Sequence, residues 1–234
     1  MEKIELSNGV KMPAMNFGVY QITDPAECEA AVINALEAGW RGIDTAASYL
    51  NERAVGRAVA RSGIPRSELF ITTKLWVQDA SEASAERVIR RSLELLGTVT
   101  IDLYLIHQPY GDIYGAWRTM ERFYEAGVMP SAWAPFAEGR DGLFENPVLR
   151  EIAADRGATV AQVVLAWLAE RGIISISKTV SPARMAENLA ASNMKLTPED
   201  MAKIATLDTG TSRFFSHRDP QIVEWLCTRR LPLE

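Results

Sequence analysis

The sequence has only two cysteines, Cys28 and Cys227, far apart and in no CxxC or Cys/His spacing. That argues against a disulfide framework or a structural zinc site and fits a thiol-reduced, cytoplasmic protein. The N-terminal stretch MEKIELSNGVKMPAM lacks an apolar signal region. No run approaches the roughly 18 apolar residues that a membrane span requires. Positive charge is also scarce: 25 Lys and Arg stand against 30 Asp and Glu, for a formal net charge of -5. Such a chain has no broad attraction for nucleic acid or anionic lipid, so any anion must be held by a local basic cluster. Neither paired carboxylates nor a metal-ligand cluster mark the expected strand ends, which weighs against a hydrolase.

What is present is enough to build a core. Of 234 residues, 47% are hydrophobic and 24% charged, an ordinary globular balance. One domain over 1–234 is expected, because α/β barrels reach this size as single units. KIELSNGVKMP alternates around Asn8-Gly9, a dipeptide suited to a two-residue type I′ turn, and reads as an N-terminal β-hairpin. A rhythm of short apolar runs and amphipathic stretches follows. AMNFGVY leads into ECEAAVINALEAGW, and RGIDTAAS into NERAVGRAVARSG. LFITTKLW leads into SAERVIRRSLELLG, and TIDLYLIHQP into IYGAWRTMERFYEAG. Then come VMPSAWAP, an insert NPVLREIAADRG, the helix TVAQVVLAWLAERG, the strand GIISISKTV and the helix PARMAENLAAS. LTPEDMAKIATL is an additional helix with Thr197 as N-cap and Pro198 at N1. The tail from Asp208 reads as irregular.

Strands alternating with helices, each strand apolar on both faces, predict a buried parallel sheet. Six such strands follow the hairpin, whereas a closed (β/α)8 barrel has eight. A doubly wound open sheet is the rival; its GxGxxG turn is absent, since FGVYQITD has a single glycine.

Four polar groups fall at the carboxyl ends of three successive strands: Asp44, Tyr49, Lys74 and His107. In a parallel barrel that end carries the active site. Each alone has a plainer reading, Asp44 as a turn residue and His107 as a satisfied core residue. Lys74 inside FITTKLW is harder to dismiss, because an unpaired buried lysine is costly; Asp44 is its candidate partner. The ammonium beside Tyr49 is expected to favour phenolate and lower the tyrosine pKa, letting Tyr49 act as general acid. His107 would orient a carbonyl. Such a set suits hydride delivery to a carbonyl carbon.

GIDTAASY, TTKLW, LYLIHQP and ISKTVSPARMAENL together resemble the aldo-keto reductase family, in order and over nearly the whole chain. The resemblance implies a TIM-barrel fold and a tetrad of Asp44, Tyr49, Lys74 and His107. It implies NADPH as cofactor, with NADH a second possibility, and a small-molecule carbonyl as substrate. Lys178 and Arg184, with Thr179, Val180 and Ser181, would hold the 2′-phosphate; Glu187 and Asn188 would meet the adenine. A helix starting near Ser181-Pro182 suits an anion in its own right, and a planar Arg suits phosphate. Trp133, otherwise a plain core tryptophan, matches the aromatic that stacks on the nicotinamide. Gly18 and Val19 would lie beside the cofactor, and Phe136 to Glu138 match a loop over the pyrophosphate. Val19, Tyr20, Trp76 and the tail aromatics Phe214, Phe215 and Trp225 match pocket-lining positions.

The departure from the family lies at Gly127–Val128. There FYEAG runs straight into VMPSAW, as though two βα units had been removed at equivalent points of the repeat. Residues 1–127 then form a catalytic half and 128–234 a cofactor half. A family Ser-Asn pair and a glutamine around the nicotinamide have no counterpart here. Three outcomes are open: a smaller closed barrel; an open sheet whose edges another chain covers, giving a homodimer; or a stretch of chain omitted from the written sequence. A bonded pair at 127 and 128 would hold its Cα atoms about 3.8 Å apart. Beside a working reductase stand a dinucleotide-binding protein without catalysis and an inert, misassembled chain.

Overall fold

The computed structural model describes residues 2–6, 9–108, 110–123, 131–133, 142–208 and 219–228, with only the backbone of 131–133. The seam at Gly127–Val128 lies outside this set, and with it the bond-distance criterion.

Strand β1 (Lys3–Glu5) pairs antiparallel with β2 (Lys11–Pro13). The hairpin is as expected but its turn is not. Glu5 faces Lys11, and Leu6 N–H donates to Val10 at 2.7 Å. That register leaves residues 7–9 as the link, one more than a type I′ turn uses. Gly9 sits at φ +83°, the left-handed residue that a three-residue hairpin link demands.

The main sheet has six parallel strands: β3 (Met15–Gly18), β4 (Gly42–Asp44), β5 (Phe70–Leu75), β6 (Leu103–Ile106), β7 (Ser131–Trp133) and β8 (Ile174–Ser177). These are the six expected runs. Their order is β6-β5-β4-β3-β8-β7, a curled half-barrel with helices outside. Among the described residues no ladder joins β6 to β7. Among the described residues the sheet is therefore open between β6 and β7. The edge of β6, unpaired among the described residues, runs beside an apolar groove lined by Leu93, Leu103, Leu105, Trp117 and Phe123.

The helices follow the rhythm. Those between β3 and β7 are α1 (Pro25–Glu37), α2 (Glu52–Arg61), α3 (Glu82–Leu96) and α4 (Ile113–Phe123). After β7 come α5 (Pro147–Asp155), α6 (Val160–Glu170), α7 (Pro182–Ala190) and α8 (Pro198–Ala205). Thr197 caps α8 in a reciprocal box with Asp200, as its sequence predicts. The insert becomes α5, capped by Asn146 with Pro147 behind it. The tail is a correction: Pro220–Thr228 is a helix, α9. Asp219 starts it by accepting from Gln221 N–H at 2.9 Å, and Leu226 packs with Trp76 and Val77. An Asx cap followed by proline was its sequence signal.

The core lies between the strands and α1 and α2, where Phe17, Ile43 and Ile71 meet Val32, Leu36, Trp40 and Val55. Helix α2 approaches the end of α3 so closely that a Cβ on Gly56 would stand 2.7 Å from backbone atoms of Leu95 and Leu96. The hairpin closes one end of the sheet: Leu6 and Met12 pack on Phe70, Leu103 and Ile174, the first residues of β5, β6 and β8. The opposite, carboxyl end is left for the polar residues.

Candidate active site

Strand register assembles the site. Gly18 is level with Asp44, Asp44 with Thr72, and Lys74 with Leu105. His107 follows directly, its N–H donating to Leu75 at 2.9 Å. Asp44, Lys74 and His107 thus emerge side by side from β4, β5 and β6. Tyr49 is carried by a 3-10 turn, Ala47–Tyr49, closed by its N–H bond to Ala46 at 2.9 Å.

Lys74 is the hub. Its ammonium donates to Asp44 Oδ1 at 2.6 Å, to the Thr45 carbonyl at 2.8 Å and to the Tyr49 hydroxyl at 3.4 Å. Both ions are buried, their side chains 7% and 3% exposed. Burial raises the Asp44 pKa, opposed by Lys74; Asp44 Oδ2 is buried without a partner.

The Tyr49 expectation needs correcting. Its pKa is raised, not lowered: burial comes first, then the Asp44 carboxylate and Tyr20. Lys74 reaches the phenol oxygen only at 3.4 Å, against 2.6 and 2.8 Å for Asp44 and Thr45, and burial prevails. Tyr49 therefore holds its proton at neutral pH. His107 moves the other way. Burial, then Lys74, brings its pKa down to about 3, so the imidazole is neutral. Aromatic rings fix its plane: Tyr49 and Trp76 lie edge-on to it at 5.6 and 5.3 Å between centroids. Tyr20 tilts against Tyr49 at 5.0 Å.

Two residues escaped the reading of the sequence. Asn51 precedes α2 as a ready N-cap, yet makes no cap bond. Its amide donates to the Val19 and Ile22 carbonyls at 3.0 and 3.1 Å and accepts from Thr45 Oγ1 at 2.8 Å. It ties the loop bearing Tyr20 to the loop bearing Tyr49. Ser48 places its Oγ 3.2 Å from His107 Nδ1. Neither contact has a sequence signal, since the partners are far apart along the chain.

The expected cofactor residues gather on β8 and α7. Phe17 is level with Ser177, so Lys178 leaves β8 beside Gly18. Gly18 packs on β8 itself; a Cβ there would lie 2.7 Å from Ile176. Val19 is fully buried, its N–H donating to Asp44 at 3.1 Å and its carbonyl taken by Asn51. Thr179 Oγ1 accepts from Ser181 N–H at 3.1 Å, and Ser181 caps α7 with Pro182 behind it. Lys178, Val180 and Arg184 are exposed, and neither cation makes an ion pair with a described residue. Glu187 accepts from Thr159 Oγ1 at 2.7 Å, which ties α6 to α7. Asn188 is buried. Trp133 ends β7, level with Ile176, and its side chain lies outside the described set, as do Phe136, Glu138, Phe214 and Phe215. Trp76 is buried and Trp225 exposed. The expected catalytic and cofactor residues are thus connected through the β3–β8 ladder.

Comparison with known proteins adds the family. The family model for the aldo/keto reductase family matches residues 14–131 and 138–209. A 9,11-endoperoxide prostaglandin H2 reductase of Trypanosoma cruzi is 33% identical over 257 residues, covering 88% of this chain and 91% of that protein. A glyoxal reductase of Bacillus subtilis is 31% identical over 258 residues, covering 88% and 93%. A crystal structure of an aldo/keto reductase from Brucella melitensis superposes with a TM-score of 0.82 at 33% identity, covering 88% of this chain and 98% of that one. Laying 88% of 234 residues over 257 positions leaves roughly fifty positions of the Trypanosoma protein opposite nothing, a shortfall that fits the loss of two βα units. The chain belongs to the aldo-keto reductase family and is a shortened aldo-keto reductase, an enzyme of carbonyl reduction.

Proposed function

We propose that the chain reduces aldehydes and ketones to alcohols with NADPH, Tyr49 delivering the proton. The observation that carries this is the Lys74 ammonium, which touches Asp44, Thr45 and the Tyr49 hydroxyl at once, beside a neutral His107. Reduction needs a donor that is protonated before reaction, and the raised Tyr49 pKa supplies one. As the carbonyl oxygen gains charge, Tyr49 Oη passes its proton to it, and the nearby ammonium stabilises the phenolate left behind. His107, neutral, donates a hydrogen bond to the same oxygen and orients it. Asp44 holds Lys74 in place.

The residues fit NADPH. Lys178 and Arg184 are exposed cations beside the capped start of α7, free of ion pairs with described residues, and a phosphate satisfies both them and the helix end. When bound, NADPH supplies the hydride. NADH, lacking the 2′-phosphate, is the weaker cofactor. Glyoxal is the first substrate to test, because a relative bears the name glyoxal reductase. The reading includes a cytoplasmic protein and, with β6 and β7 open among the described residues, a homodimer.

A second reading has its own support. Among the described residues no strand stands between β6 and β7, where the family resemblance implies strands that flank the nicotinamide, which favours a protein that binds NADP(H) without turning it over. Oxidation of NADPH followed at 340 nm with glyoxal and simple aldehydes separates the two. Turnover abolished by Tyr49→Phe supports the reductase; NADPH binding without turnover supports the remnant.

A further inference from the structure

A neutral imidazole has one N–H and one bare nitrogen. The two edge-on rings around His107 fix its plane, but they do not determine which nitrogen carries the proton. A hydrogen bond does. His107 Nδ1 lies 3.2 Å from Ser48 Oγ, while Nε2 makes no hydrogen bond with any described residue. The hydroxyl can donate or accept. If Ser48 accepts, the proton sits on Nδ1 and Nε2 turns a lone pair toward a carbonyl oxygen, which repels it. If Ser48 donates, Nδ1 is the acceptor and the single N–H is on Nε2, free for that oxygen.

We propose that Ser48 is a positioning residue that sets the tautomer of His107: its hydroxyl donates to Nδ1 and so keeps the N–H on Nε2. The contact also couples two parts of the site. Ser48 belongs to the same 3-10 turn as Tyr49, and the next residue, Leu50, is held in the left-handed region at φ +57°. The turn that presents the proton donor therefore also orients the group that aligns the carbonyl. The choice of donor rests on the reductase reading, because a carbonyl oxygen at Nε2 is what tells the two tautomers apart; the 3.2 Å contact itself does not rest on it.

The test is nitrogen NMR on the full chain labelled with 15N-histidine. The chain has two histidines, His107 and His217, and a His217→Gln variant assigns the pair. Between pH 6 and 8, His107 is expected to show a pyridine-type Nδ1 and a pyrrole-type Nε2. Ser48→Ala is expected to move the two shifts toward a tautomer mixture, and to lower kcat/KM for a carbonyl about tenfold. Ser48→Thr, which keeps the hydroxyl, is expected to restore both. A pyrrole-type Nδ1 in the unmodified chain overturns the proposal, as do shifts that Ser48→Ala leaves unchanged. A wild-type chain with the expected spectrum, sensitive to Ser48→Ala, but with no turnover supports the tautomer and defeats the reductase reading alone.

Discussion

Replacing Lys74 with methionine tests the centre of the site without reference to any ligand. The ammonium sits 2.6 Å from Asp44 Oδ1. At an effective dielectric near 20 the attraction is about 6 kcal/mol, and moving each ion out of water costs several kcal/mol. The intact pair is therefore close to neutral for stability. Removing one partner is not. Methionine keeps the aliphatic stem but leaves Asp44 buried with no cation, when its Oδ2 already lacks a partner. A loss of about 3–5 kcal/mol of unfolding free energy is expected at pH 8. With the ammonium gone, burial acts unopposed and lifts the folded-state pKa of Asp44 further above its unfolded value. A raised folded pKa means that the penalty is full above that pKa and fades as pH falls through it. Urea unfolding followed by tryptophan fluorescence should thus show a larger deficit at pH 8 than at pH 5. Adding Asp44→Asn should recover most of it. A Lys74→Met protein as stable as the parent at pH 8 would show that Asp44 does not depend on the Lys74 ammonium.

Arg184→Ala should weaken NADPH binding about ten- to hundredfold and leave NADH nearly unchanged, by fluorescence titration with each, because only the phosphate loses a charge-assisted bond. Gly56→Ala should cost about 1–3 kcal/mol in urea unfolding, since its Cβ would meet backbone of α3 rather than a movable side chain. His107 stays neutral when folded down to about pH 3 but charges near its ordinary value when unfolded, so it favours the folded state fully above about pH 6.5 and progressively less below. His107→Gln should therefore flatten the fall of stability between about pH 6.5 and 3, by at most about 1.4 kcal/mol per pH unit, in unfolding midpoints measured across that range.

The strands and helices were legible because each buried strand is a short apolar run and most helices start at a capping side chain, as at Asp24, Ser81, Asn146, Thr159, Ser181 and Thr197. Asp44, Lys74 and His107 stood out because ionisable groups on such runs are costly unless used. The limits were physical too. The Asp219-Pro220 start of α9 was visible but followed a stretch without periodicity. The register of the first hairpin depended on Leu6 pairing Val10, which the Asn8-Gly9 dipeptide does not specify. The direction of the Tyr49 pKa shift turned on burial and on how Lys74 divides its contacts, neither encoded locally. Ser48 and Asn51 act on partners brought near only by the sheet. The seam raised the question of whether the two halves align, and the ladder between β3 and β8 gives them a direct connection that linear order hides.

A working reductase requires that hydride transfer survive the loss of the intervening units. The most direct measurement uses NADPH deuterated at nicotinamide C4, each stereoisomer in turn, with glyoxal and mass analysis of the alcohol. One deuterium is expected on the new alcohol carbon from one isomer, none from the other, and none from either with Tyr49→Phe. Bound NADPH that passes its label to no product from either isomer would contradict this expectation.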